Sequence, residues 1–252
     1  QSSAYHSEMI REHYPELFER IRKKVQEGRY EPNGGVWVEC DCNITSGESM
    51  IRQFLWGQRF TKKYFGYRSD CFWLPDTFGY SAAIPQIMKG CGVDYFLTTK
   101  MAWNDTNQFP YDTFWWKGID GTRVLAHLNK THVWPDPKSF YEFMYDTKSP
   151  DAVRQKSVSD RKLISYGFGD GGGGPQFEMI EMARRCRDLE GCPRVEHTTV
   201  SRFMQELQQN MHDPSTYEGE LYLELHRGTL TNQHAIKRNN RLAEIALHDL
   251  EF

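Results

Sequence analysis

The chain has 252 residues, enough for one large α/β domain with a sizeable core, alone or with a small appendage. Its formal net charge of −3 and balanced acidic and basic content give no basis for a nucleic-acid or membrane-surface partner. Six cysteines at 40, 42, 71, 91, 186 and 192 show no Cys-x-x-Cys pair and suit a reducing, cytoplasmic compartment, with Cys71 and Cys91 reading as buried thiols. No apolar run reaches the roughly 18 residues of a membrane-spanning helix, and no signal peptide is visible.

In chain order, Ile10, Tyr14, Leu17, Phe18, Ile21 and Val25 recur at helical spacing and predict one helix over 3–26, ended by Gly28. Asn33-Gly34-Gly35 turns the chain into Val36–Glu39, a short buried strand with Asp41 and Asn43 at its exit. Ser46-Gly47-Glu48-Ser49 starts a helix over 50–65, closed by Gly66. Cys71–Leu74 reads as a buried strand that Pro75 stops and that delivers Asp76 into a turn; Gly79 and Tyr80 then open a helix over 81–90. Val93–Thr99 is a further strand with Lys100 at its end. Residues 113–116 and 123–128 form two strands joined by the hairpin turn Gly118-Ile119-Asp120-Gly121. Residues 129–160 are polar, with Pro135, Pro137 and Pro150, and are the least informative part of the chain. A strand over 163–166 leads into a glycine run, 175–189 and 200–211 read as helices, 219–225 as a last strand, and 232–251 as an amphipathic helix rich in basic residues.

Strand, polar exit and helix thus recur. The pattern predicts an α/β fold, a barrel-like or layered, mostly parallel sheet with flanking helices. Asp41, Asp76, Lys100 and Asp170 all follow the C-terminal ends of predicted strands, where such folds gather their chemistry. Read locally, Asp76 is either a site carboxylate or a turn or helix-capping residue. The glycines 171–174 are poor candidates for a phosphate cradle because no Lys-Ser/Thr follows; they suit close approach of the backbone to a ligand. Aromatic residues make up 14% of the chain, enough to line a sugar site, although most of them read as core.

The stretch Trp73-Leu74-Pro75-Asp76-Thr77-Phe78-Gly79-Tyr80-Ser81-Ala82-Ala83-Ile84-Pro85-Gln86-Ile87-Met88 resembles the nucleophile segment of the class II α-mannosidases, glycoside hydrolase family 38, in their cytosolic-type branch. The resemblance runs through Trp37–Asn43, Ser46–Ser49 with Arg52-Gln53, Thr98–Asn104, Gly167–Pro175 and Glu224–Thr229. It implies hydrolysis of terminal α-linked mannose with retention, on mannose-containing oligosaccharides. Asp76 is then nucleophile and metal ligand, and Asp170 is the acid/base, with a helix cap as its alternative role. Retention needs those two carboxyl groups roughly 5–5.5 Å apart. Lys100 falls where the family has a basic residue near the nucleophile, and a cation there favours a charged carboxylate; otherwise it is a solvated loop lysine. Asp41 either bonds sugar hydroxyls or ends its strand, Trp103 is a sugar platform or core, and His226 is structural or lines the substrate.

The resemblance also implies a divalent metal, zinc or cobalt, held by four protein ligands. Two belong to a His-x-Asp motif and one to a His-Asp segment beyond the helical bundle, and none of these three is found; His248-Asp249 lacks the family context. The implied domains are 1–218, the catalytic α/β domain without its N-terminal metal motif, and 219–252, its end and the start of a helical bundle domain. The chain is therefore expected to be a central piece of a larger enzyme, with an oligomer or complementing chain segments as partners. The alternatives are a non-catalytic glycan-binding or interaction module derived from the family, and a deacetylase on a related barrel.

Overall fold

The computed structural model describes residues 3–149, 152–170 and 172–252; Pro150 and Gly171 fall outside them. In chain order the elements begin α1 (Ala4–His13), α2 (Pro15–Gln26), α3 (Gly47–Phe65), β1 (Cys71–Trp73), α4 (Ile84–Gly90), β2 (Tyr95–Thr98), β3 (Thr113–Lys117) and β4 (Arg123–Leu128). They continue with β5 (Lys130–Val133), α5 (Pro137–Tyr145), β6 (Ile164–Tyr166), α6 (Phe177–Arg185), α7 (Val200–Asn210), β7 (Thr216–Glu218) and α8 (His234–Glu251).

Phe72, Phe96, Ala126 and Phe114 stand side by side across four strands, and this row marks one face of the main sheet. The strand order is β1-β2-β4-β3-β7, with β1, β2 and β4 parallel, β3 antiparallel to β4, and β7 parallel to β3. The sheet is therefore mixed but mostly parallel, as expected: only the β3–β4 pair, joined by the 118–121 hairpin, is antiparallel. The next row, Cys71, Tyr95, Leu125 and Trp115, faces the opposite way. The first face packs on Met50 and Phe54 of α3 and on Ile84 and Met88 of α4. The second packs on Val200, Phe203, Met204 and Leu207 of α7. A sheet covered on both faces needs apolar residues at successive positions, which is why Cys71–Leu74 and Tyr95–Leu97 read as unbroken apolar runs. The result is a layered α/β fold with flanking helices.

At Asn129 the chain turns from β4 directly into β5, which pairs in parallel with β6 in a second, two-stranded sheet. Val133, Phe140, Phe143 and Cys186 form the small core beneath it. Segment 129–160, the least informative part of the sequence, thus carries β5 and α5. Its signals were short: Asp136 caps α5 by accepting from the Ser139 N–H at 2.8 Å, and Pro137 opens it.

Five other expectations need correction. The predicted helix over 3–26 is two helices, because Pro15 disfavours helical geometry at Tyr14, which sits at φ −139° and ψ 63°. Val36–Glu39 is not a strand; Val36 makes only a single bridge to Ser3, and the Trp37 and Val38 N–H groups donate to Gln53 of α3 instead. The helix expected over 81–90 begins at Ile84, since Tyr80 exchanges backbone bonds with Leu221 and the Ser81 N–H donates to Cys42. Residues 219–225 make only that bridge at Leu221, and the last strand is β7, just before them. Cys91 is half-buried, not buried. No helix among the described residues is long and apolar enough to cross a membrane.

Candidate active site

β1 ends because Pro75 cannot donate to a ladder, and Asp76 follows at the rim where the parallel strands β1, β2 and β4 all end. One strand away, Lys100 leaves β2 with its side chain 7% exposed and its Nζ 2.7 Å from Asp76 Oδ1. The ammonium also lies 3.4 Å from the centre of the Trp103 ring and 5.4 Å from that of Phe78. A buried ammonium without partners is costly, and here a carboxylate and the faces of two rings supply them. The Asp76 side chain, half exposed, carries the matching charge to the surface.

Beneath this pair lies Tyr80, which is fully buried. Its hydroxyl donates to the Leu74 carbonyl at 3.0 Å and is 2.5 Å from Thr98 Oγ1, tying the ends of β1 and β2 together under the Asp76 turn. Burial pushes its phenol well up from the usual tyrosine range, so it stays a neutral hydrogen-bonding post. The sequence offered Tyr80 only as a helix opener.

The remaining candidates fall at several places. Trp103 is 37% exposed and covers Lys100, so it is not core. His226 takes left-handed backbone geometry at φ 53° and stacks against Phe78 with ring centres 4.7 Å apart. Asp41 ends no strand; its Oδ1 accepts from the Asn43 and Ile44 N–H groups at 2.8 and 2.6 Å and so closes an exposed turn. Asp170 follows β6 and is 80% exposed, with Oδ1 3.8 Å from His132 Nε2. It does not cap α6, whose capping position is Gln176. Between Asp76 and Asp170 the rim passes β2 and then β4 with its continuation β5, so the two strands that deliver them are not neighbours. The residues at this rim that the sequence did not single out are Phe78 and Tyr80. Phe78 was visible only as a member of the Asp-Thr-Phe-Gly stretch.

Among the described residues, no three His, Cys, Asp or Glu side chains lie together as metal ligands do. Asp76 adjoins an ammonium and not a second ligand. Zinc sites use three or four protein ligands, so these residues by themselves do not fit one. His248 and Asp249 lie side by side on exposed α8, 3.7 Å apart, and add no third donor.

The family described as glycosyl hydrolases family 38 N-terminal domain matches residues 1–220. The chain is 45% identical over its whole length to alpha-mannosidase G of Dictyostelium discoideum, covering 23% of that protein. It is 43% identical, again over its whole length, to alpha-mannosidase 2C1 of Homo sapiens, covering 24% of it. The chain thus spans about a quarter of the length of these curated relatives. The fold is similar to the crystal structure of an alpha-mannosidase from Enterococcus faecalis V583, with a TM-score of 0.67 at 20% identity over 87% of this chain and 25% of that one. With the matched domain running over Asp76, Lys100, Trp103 and Asp170, the chain belongs to glycosyl hydrolase family 38.

Proposed function

We infer that the protein carrying this chain hydrolyses terminal α-linked mannose in mannose-containing oligosaccharides, with retention of configuration. The observation that carries this reading is the Asp76–Lys100 pair at the strand rim, at 2.7 Å, inside a domain matched to family 38. Asp76 is the nucleophile: its carboxylate attacks the anomeric carbon as the bond to the leaving oxygen breaks, giving a covalent mannosyl-enzyme. Asp170 gives its proton to that oxygen, then takes one from the water that attacks the same carbon and frees Asp76. Lys100 fixes the position of Asp76, and Trp103 and His226 line the sugar. Asp41 contributes less to this reading, because its Oδ1 is already engaged by two backbone N–H groups.

A divalent cation, zinc or cobalt, enters this reading only with ligands supplied beyond the described residues; of the ligand set the resemblance implies, they offer Asp76 alone. The six cysteines are free thiols, which supports a cytoplasmic setting. The test is proton NMR of the first-formed anomer, with the full protein and an aryl α-mannoside. Mannose released first as the α-anomer is expected. The β-anomer first would overturn the assignment, and mannoside binding without turnover would favour a glycan-binding module.

A further inference from the structure

His226 lies in a segment, 219–233, whose only regular backbone is the bridge at Leu221 and a short 3-10 turn at Arg227–Leu230. The start of this segment is held by the Tyr80–Leu221 backbone pair and by buried Leu221 and Leu223. From Glu224 onward, side-chain bonds to the loop after Trp103 take over. Asn107 donates through its backbone N–H and its Nδ2 to the two carboxylate oxygens of Glu224, at 2.5 and 2.6 Å. The Glu224 N–H donates in turn to Asn104 Oδ1 at 2.9 Å. Three residues on, Arg227 donates through both terminal nitrogens to the two oxygens of Asp105, at 2.9 and 3.0 Å. These two forks bracket His226 on one segment and follow directly after Trp103 on the other.

We propose that Glu224 and Arg227 are positioning residues whose forks to Asn107 and Asp105 join the His226 segment and the Trp103 loop into one sugar-binding wall beside Asp76. The proposal rests on the reading of Asp76 as nucleophile. A single exposed ion pair contributes little to stability, but a bidentate fork fixes orientation as well as distance. Here two forks close the same pair of segments, five hydrogen bonds in all. Neither fork touches Asp76 or Asp170, so the bonds made and broken at the anomeric carbon keep their groups. What the clasp governs is how well the sugar is held, a contribution made alike in ground and transition states, so its loss raises KM and leaves kcat.

The experiment measures KM and kcat of the full protein on an aryl α-mannoside for Arg227→Gln, Asp105→Asn, both together, and the exchanged pair Asp105→Arg with Arg227→Asp. Each single change is expected to raise KM about tenfold while kcat stays within about twofold. The double change should be no worse than either single one, because both break the same fork, and the exchanged pair should recover part of the loss. Glu224→Gln keeps the side-chain shape but replaces one acceptor oxygen with an NH2 donor, breaking one arm of the second fork, and should raise KM as well. Unchanged KM in these variants, additive effects of Arg227→Gln and Asp105→Asn, or a fall confined to kcat would each overturn the proposal. Asp76→Asn separates the two readings. Full turnover in that variant refutes Asp76 as nucleophile, whereas the clasp is judged by KM alone.

Discussion

Lys100 and His127 show two ways in which a basic side chain is accommodated inside this fold. Lys100, buried, pairs with Asp76, with Trp103 laid across it. His127, wholly buried on β4, stays neutral instead. The Leu163 N–H donates to its Nε2 at 3.2 Å, so its proton sits on Nδ1, which faces Thr113 Oγ1 at 3.0 Å. Burial, and next the nearby Lys162 ammonium, push the imidazole well below its usual 6.5. The unfolded chain therefore binds a proton at this histidine, below pH 6.5, where the folded chain does not. Its contribution to stability is complete above that pH and is lost as the pH falls below it, at up to about 1.4 kcal/mol per pH unit. Urea unfolding of wild type and His127→Gln from about pH 5 to about pH 7.5, below and above the ordinary histidine pKa, checks this. The difference between the two should shrink as the pH falls. A constant difference would mean that His127 does not resist protonation.

Among the elements, α3 packs on the first face of the main sheet through Met50 and Phe54. Ser46 caps it by accepting from the Ser49 N–H, Gly66 ends it in left-handed geometry, and Phe54 packs on Phe72 with ring centres 4.8 Å apart. Gly57, mid-helix, has another role: a Cβ there would lie 2.5 Å from the Val36 carbonyl carbon. In an exposed helix, Gly→Ala stabilises by about 1 kcal/mol. Here backbone blocks the methyl, so Gly57→Ala is expected to destabilise by about 1–3 kcal/mol, measurable as a lower urea midpoint at unchanged slope. A stabilised variant would show that the 34–37 segment yields. The same helix shows what could be read in advance. Its cap, its apolar stripe and its glycine stop are local signals, and so are the runs of β1, β2 and β4 and the 118–121 hairpin. Val36–Glu39 looked equally strand-like, yet Gln53 takes its donors, and no local pattern encodes that competition. At the site, Asp76 and Lys100 stood out because each follows an apolar strand. Tyr80 did not, because its work is done through Leu74 and Thr98, and Glu224 and Arg227 bond to a loop more than 100 residues away in sequence.

On the scale of the molecule, a mixed sheet covered on both faces gathers strand ends along one rim, and β5 and β6 extend that rim toward Asp170. Helix α8 lies apart from this core. Arg52 reaches Glu251 at 2.7 Å and the Ser46 N–H donates to Glu244 at 3.0 Å, while Ile236, Leu242, Leu247 and Leu250 remain exposed. Under the function proposed above, the rim and not the helix bears the chemistry, and Asp76 forms the covalent bond to mannose. The direct measurement is peptide mapping by mass spectrometry after the full protein is stopped on a slow-turnover fluorinated mannosyl fluoride. A mannosyl adduct on the peptide containing Asp76, with fragment ions that assign it to that carboxylate, is the expected result. An adduct on Asp170, Asp41 or any other side chain would contradict it.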